Sequence, residues 1–83
     1  MRASIKVMFF ASLREDVGVP EVAVEASSLD TLWTALADIF DTDVMQVLQQ
    51  DNVRIAVNQA LVDGDVELKG GDEVAFLPPV TGG

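Results

Sequence analysis

The 83-residue sequence contains no cysteine, no histidine and no tyrosine. Without cysteine there is no disulfide, no thiolate metal site and no thiol nucleophile. Without histidine the commonest general base and metal ligand is gone, leaving carboxylates, hydroxyls, Lys6, Lys69 and the arginines for any chemistry. An enzyme with an active site of its own is therefore not expected. Basic residues are scarce: five against fourteen acidic ones give a net charge of -9, which repels nucleic acid and anionic membrane. That charge suits partners with basic surfaces, and serves solubility equally well. No apolar run approaches the roughly 20 residues needed to span a bilayer. Met1-Arg2 leads straight into a strand pattern with no signal-peptide cleavage site, so the expected location is the cytosol.

What the chain does have is a 49% apolar fraction with balanced helix and strand formers, enough for one globular domain with a thin core. Ser4-Ile5-Lys6-Val7-Met8-Phe9-Phe10 alternates as a strand. Because Lys6 must reach water, Ile5, Val7 and Phe9 face the main core and Met8 and Phe10 face the less covered side. Residues 11–17 (ASLREDV) form a helical turn ended by Gly18. Arg14 near its end either pairs with an acidic partner or is a solvated charge. Pro20 opens Glu21–Ala26, whose alternation and acidity fit an edge strand.

Ser28 is a plausible N-cap for a helix running to Phe40, with Asp30 in the first turn where the helix dipole favours it. Leu29, Leu32, Leu36, Ile39 and Phe40 lie on one stripe and Trp33 flanks it. Core packing explains that stripe. Asp41-Thr42-Asp43 breaks the helix, and Val44–Gln50 forms a short second one with Val44, Val47 and Leu48 inward. Val53–Asn58 reads as a third strand, with Val53, Ile55 and Val57 on one side and Arg54, Ala56 and Asn58 on the other. Asn58-Gln59 turns into a brief strand at Ala60-Leu61-Val62, and Asp63-Gly64-Asp65 turns into another at Val66–Leu68. The two aspartates resemble part of a calcium loop but lack its other ligands, so they are turn residues.

The last stretch, GDEVAFLPPVTGG, organises the rest. Glu73–Leu77 is a buried strand, with Val74 and Phe76 toward the core and Ala75 and Leu77 away from it. Pro78 and Pro79 lack the amide N–H of a ladder and hold φ near that of polyproline II, so the strand stops and the chain leaves stiffly. Val80, Thr81, Gly82 and Gly83 follow. At about 3.3 Å per residue, Pro78 to Gly83 reaches about 20 Å, and two residues without Cβ can thread a narrow channel. Gly-Gly alone fits a frayed end better; strand, Pro-Pro and Gly-Gly together fit a tail that delivers a carboxylate. The domain division is thus 1–77 for the folded body and 78–83 for the tail. The acidic second strand belongs at an edge and the apolar last strand at the centre. The expected fold class is α+β: a ubiquitin-like β-grasp roll, a mixed sheet with its first and last strands central and parallel and one long helix across one face.

The segments KVMFFASLRE, VNQALV and GDEVAFLPPVTGG closely resemble the small, sulfur-carrier subunits of molybdopterin synthase, across the whole chain. The ending and the FFA-LRE segment are the specific parts. The resemblance implies that a ubiquitin-activating-like enzyme uses ATP to adenylate the Gly83 carboxylate. Sulfur from a persulfide donor then makes a terminal thiocarboxylate. It implies that the tail enters the active site of the synthase's large subunit, in a heterotetramer, and donates sulfur to the cyclic pyranopterin precursor. Two deliveries build the dithiolene that later holds molybdenum. The protein itself would be a non-catalytic donor subunit that binds no cofactor. Carried over by local match, Phe10, Leu61 and Leu77 are interface positions, although many relatives have Phe where this chain has Leu77. For Phe10 and Leu61 ordinary core packing is the competing explanation. Three other functions share the same features: a sulfur carrier for another product such as the thiamine thiazole, a modifier joined to lysines through Gly83, and an acidic binding module with an inert tail.

Overall fold

The computed structural model describes residues 3–78. Its first strand, β1 (Ala3–Phe9), buries Ile5, Val7 and Phe9 to 2% exposure or less. The period-2 alternation of the sequence thus separates a buried side from an open one. A turn at Ala11 leads into a short helix, α1 (Ser12–Val17), which Gly18 ends in the left-handed conformation at φ 96 while its N–H donates to the Arg14 carbonyl. The chain returns along β2 (Glu21–Ala26), antiparallel to β1 with Val7 opposite Val22 and Ile5 opposite Val24.

The main helix, α2 (Leu29–Ile39), lays Leu29, Leu32 and Leu36 into the core. Its N-terminus has a partner for each of its first amides, the groups that a helix cannot satisfy by itself. The Leu29 N–H donates to the Val66 carbonyl, and the Asp30 N–H to Asp65 Oδ1 at 2.9 Å. The Thr31 N–H donates to Ser28 Oγ, and Thr31 Oγ1 accepts from the Ser28 N–H in return, a reciprocal capping box. Asp65 is therefore a remote cap that places negative charge at the positive end of the helix dipole.

A third helix, α3 (Thr42–Leu48), follows, and then β3 (Arg54–Val57), β4 (Ala60–Leu61) and β5 (Glu73–Leu77). The sheet order is β2-β1-β5-β3-β4, with β5 parallel to β1 and antiparallel to β3. The first and last strands sit in the middle and the acidic β2 lies at an edge, as the patterning expects. β3 and β4 are joined by Asn58 and Gln59, both at positive φ (50 and 72), the two-residue turn whose twist matches a hairpin. Phe76 on β5 is the hub of the core. It stacks on Phe9 at 5.7 Å between ring centroids and takes Trp33 edge-on at 5.4 Å, while Phe40 meets Phe9 edge-on at 5.8 Å.

Several sequence expectations need correction. Among the described residues there are three helices, at the three places where the sequence expects a helical turn, a long helix and a short second helix, with α2 the longest. The long helix does stop before Asp41, but α3 begins at Thr42 rather than Val44: Asp41 caps it, its Oδ1 accepting the Val44 N–H at 3.0 Å, so Thr42 and Asp43 are helical. The helix ends at Leu48, and Met45 is buried with Leu48. Val66–Leu68 is not a sheet strand. Its backbone bonds the start of α2 instead, the Val66 carbonyl accepting from Leu29 and the Leu68 N–H donating to Ser27, which leaves a single bridge between Ser28 and Glu67. Ile39 is 53% exposed, because the helix ends there and the extended Phe40 takes the inward position beside Phe9.

Candidate functional site

α2 and the core cover one side of the sheet, and the other side is open. Strand alternation decides what stands there. From β1 come Lys6 and Met8, with Phe10 just after its end; from β5, Ala75 and Leu77; from β3, Arg54 and Ala56; from β4, Leu61. The registers place Met8 beside Ala75, Ala75 beside Ala56, Ala56 beside Leu61, and Leu77 beside Arg54. Phe10 follows directly on β1, its N–H donating to the Phe76 carbonyl at 3.2 Å, which sets it next to Leu77 on the open side.

Exposure along this row is uneven. Ala56 and Ala75 are small and shielded by their taller neighbours, so they form a floor. Phe10 and Leu61 stand above it with 44% and 62% of their surface exposed, while Met8 and Leu77 are half-buried. A monomer gains nothing from holding a phenylalanine and a leucine in water, and a cluster of apolar groups rimmed by charge is the form a docking surface takes. Core packing, the competing explanation for Phe10 and Leu61, is excluded by these exposures. The leucine of the last strand, Leu77, shares their face.

The turn beyond Phe10 is strained. Ala11 has φ 51 and ψ -128, a region that residues with a Cβ rarely occupy. It lets the Leu13 N–H close back onto the Phe10 carbonyl at 3.1 Å, and Leu13 is the buried residue of α1. Phe10 is thereby held between a ladder bond and an anchored turn. Arg14, one turn further on, is exposed.

Charge is distributed unequally around the patch. At the β2 edge Glu21 and Glu25 are exposed, and Lys6 Nζ lies 3.7 Å from Glu21 Oε2. At the entry to β5, Asp72 ties three segments together. Its Oδ2 accepts the Lys69 N–H at 2.8 Å and its Oδ1 accepts from Asn58 Nδ2 at 3.1 Å, while Asn58 Oδ1 accepts the Glu73 N–H. The Lys69 backbone bond, then the Asn58 bond, hold the Asp72 carboxyl below the ordinary aspartate range. Among the described residues no group of three or more acidic side chains is arranged to hold a metal ion.

Of the residues singled out by sequence, Phe10, Leu61 and Leu77 share the open face, Arg14 lies beyond its end on α1, and Pro78 continues directly from Leu77. Pro79, Val80, Thr81, Gly82 and Gly83 lie outside the described residues. Arg54 was not singled out, although it is exposed on the same face, opposite Leu77 in the β3–β5 register. The outward parity of Arg54 was readable; its neighbour on β5 was not, because strand adjacency is not local in sequence.

Comparison with known proteins agrees with this arrangement. The sequence profile of the ThiS family matches residues 7–83. The molybdopterin synthase sulfur carrier subunit of Escherichia coli K12 is 46% identical over 81 residues, covering 95% of this chain and 99% of the relative. Among solved structures, the small archaeal modifier protein 1 of Methanosarcina acetivorans superposes with a TM-score of 0.82 at 28% identity, over 100% of this chain and 99% of that one. In a complex of subunits 1 and 2 of the molybdopterin-converting factor from Helicobacter pylori, one chain matches with a TM-score of 0.72 at 27% identity, over 96% and 99%. A ubiquitin-like β-grasp body, an open apolar face beside the exit of the last strand and a near-full-length match all lead to one family: the chain belongs to the ThiS family, and within it to the molybdopterin synthase sulfur carrier subunits.

Proposed function

We propose that this protein carries sulfur as a thiocarboxylate on Gly83 and donates it to the cyclic pyranopterin precursor of the molybdenum cofactor. The observation that carries the reading is the near-full-length likeness to a sulfur carrier subunit together with a family match that runs through Gly83. A carboxylate is a poor electrophile. ATP-dependent adenylation by an activating enzyme makes the Gly83 carbonyl attackable; the terminal sulfur of a persulfide donor displaces AMP to give an acyl disulfide, and a second thiol cleaves its S–S bond, releasing the thiocarboxylate and leaving the donor sulfur in a disulfide. The thiocarboxylate is ionised at neutral pH and softer than an oxygen anion, so it attacks carbon without a base supplied by this chain. That fits a sequence with no histidine and no cysteine.

The body aims the tail. The open face formed by Phe10, Leu61 and Leu77 docks the large subunit of the synthase, with Arg14 at its margin, and Pro78, Pro79, Val80, Thr81 and Gly82 lead Gly83 into that subunit's active site. The H. pylori complex of subunits 1 and 2 supports a partner of this kind. No described helix is long and apolar enough to cross a membrane, and the proposed site of action is the cytoplasm. The test is transfer: thiocarboxylated protein, mixed with the large subunit and precursor, converts precursor to the dithiolene product, and a variant lacking Gly82 and Gly83 converts none while melting as the parent does. Conversion by the truncated variant would overturn the proposal. The likeness to the archaeal modifier favours a second reading, conjugation of Gly83 to protein lysines; isopeptide-linked conjugates in cells would support it.

A further inference from the structure

The acidity of the chain points to a basic partner, but the docking face itself is polarised. The β2 side carries Glu21 and Glu25, with Lys6 engaged by Glu21. The β3 side carries Arg54, exposed and level with Leu77, the last residue before the chain leaves the sheet at Pro78. Among the described residues the Lys6–Glu21 pair is the one ion pair. Asp51 and Asp63 line the same cleft as Arg54, Leu61, Leu77 and Pro78, yet neither pairs with the guanidinium. In a chain with fourteen acidic residues, a cation free of them at the rim of an apolar patch is positioned for something outside the molecule.

We propose that Arg54 is the specificity-determining cation of the docking face, and that it receives a carboxylate of the partner protein beside the point where the tail enters. The inference rests on the docking role assigned to this face above. A guanidinium offers two parallel N–H donors that match a carboxylate. At the rim of the patch, where solvent still reaches it, such a pair steers association and is weakened by salt. Because the opposite edge of the patch is acidic, the carrier fits in one orientation: partner carboxylate against Arg54, partner cations against β2. A tail rooted one residue beyond Leu77 is then aimed by the same contact. The complementary surface is thus mixed, not uniformly basic.

The test titrates the full-length protein into the large subunit at about 0.05 M and about 0.5 M salt, using Arg54→Ala, Arg54→Lys and Arg54→Glu, with Phe10→Glu as the control for the face itself. Arg54→Ala should weaken binding about tenfold at low salt and Arg54→Glu about a hundredfold, mostly through slower association. Arg54→Lys should recover part of the loss, the deficits should shrink at high salt, and melting should be unchanged in the three Arg54 variants. An acid-to-lysine substitution on the partner that rescues Arg54→Glu would identify the carboxylate. Wild-type affinity for Arg54→Glu, or a loss that salt leaves untouched, overturns the inference while a weakened Phe10→Glu keeps the docking face. Wild-type affinity for Phe10→Glu as well would overturn the docking reading itself.

Discussion

Truncating Phe10 separates a docking residue from a core residue, because the two roles predict opposite effects on binding and stability. Phe10 leaves 44% of its surface exposed, which for a side chain of about 200 Å² is about 90 Å². Covering that area at about 25 cal/mol per Å² contributes about 2 kcal/mol, so Phe10→Ala should raise the Kd for the large subunit about 30-fold. The free protein should lose only about 1 kcal/mol, since the ring meets the fold along one side. Calorimetric titration reads the first quantity. Trp33 reads the second: it is the single tryptophan and packs edge-on against Phe76, so its emission during urea unfolding reports the core. Unchanged affinity, or a stability loss of about 3 kcal/mol or more as for a buried aromatic, would refute the assignment of Phe10 to the interface.

Three further predictions concern the scaffold. Asp65→Ala should destabilise the fold by about 1 kcal/mol by uncapping the Asp30 amide, with Asp65→Asn losing less because it keeps the acceptor and drops only the charge; urea midpoints at constant slope measure both. Ala11→Gly should stabilise the fold by about 1 kcal/mol, relief of the positive-φ strain outweighing the added freedom of the unfolded chain, and a lower midpoint for the glycine variant would contradict the turn geometry. Asp72 has a folded-state pKa below its unfolded one, so its contribution is complete well above the unfolded value of about 3.9 and is lost as the pH falls through the lower folded value. Asp72→Asn should therefore flatten the acid limb of the stability profile, and an unchanged limb would remove Asp72 from the β5 entry lock.

Much of the fold was legible because its signals are local. Alternation in Ile5, Val7 and Phe9 assigned the faces of β1, the Leu29, Leu32 and Leu36 spacing assigned the helix, and Pro78-Pro79 marked where the last strand stops. The parity that put Phe10 and Leu77 on the less covered side also located the open face of the sheet. What escaped depends on distant partners. Val66–Leu68 has the same alternation as a strand, but its amides and carbonyls serve the first turn of α2, and nothing in three residues distinguishes those uses. Asp41 reads as a breaker or as a cap depending on whether Val44 turns back to it. Arg54 gained meaning only when β5 settled against β3 and brought Leu77 and Pro78 beside it.

The account turns on the atoms at Gly83, and weighing the intact protein tests them most directly. After incubation with an activating enzyme, ATP, a persulfide donor and a thiol reductant, the mass should rise by the exchange of one oxygen for one sulfur, with fragmentation placing the change at Gly83. A protein whose mass stays the same under conditions that load a known carrier would contradict it.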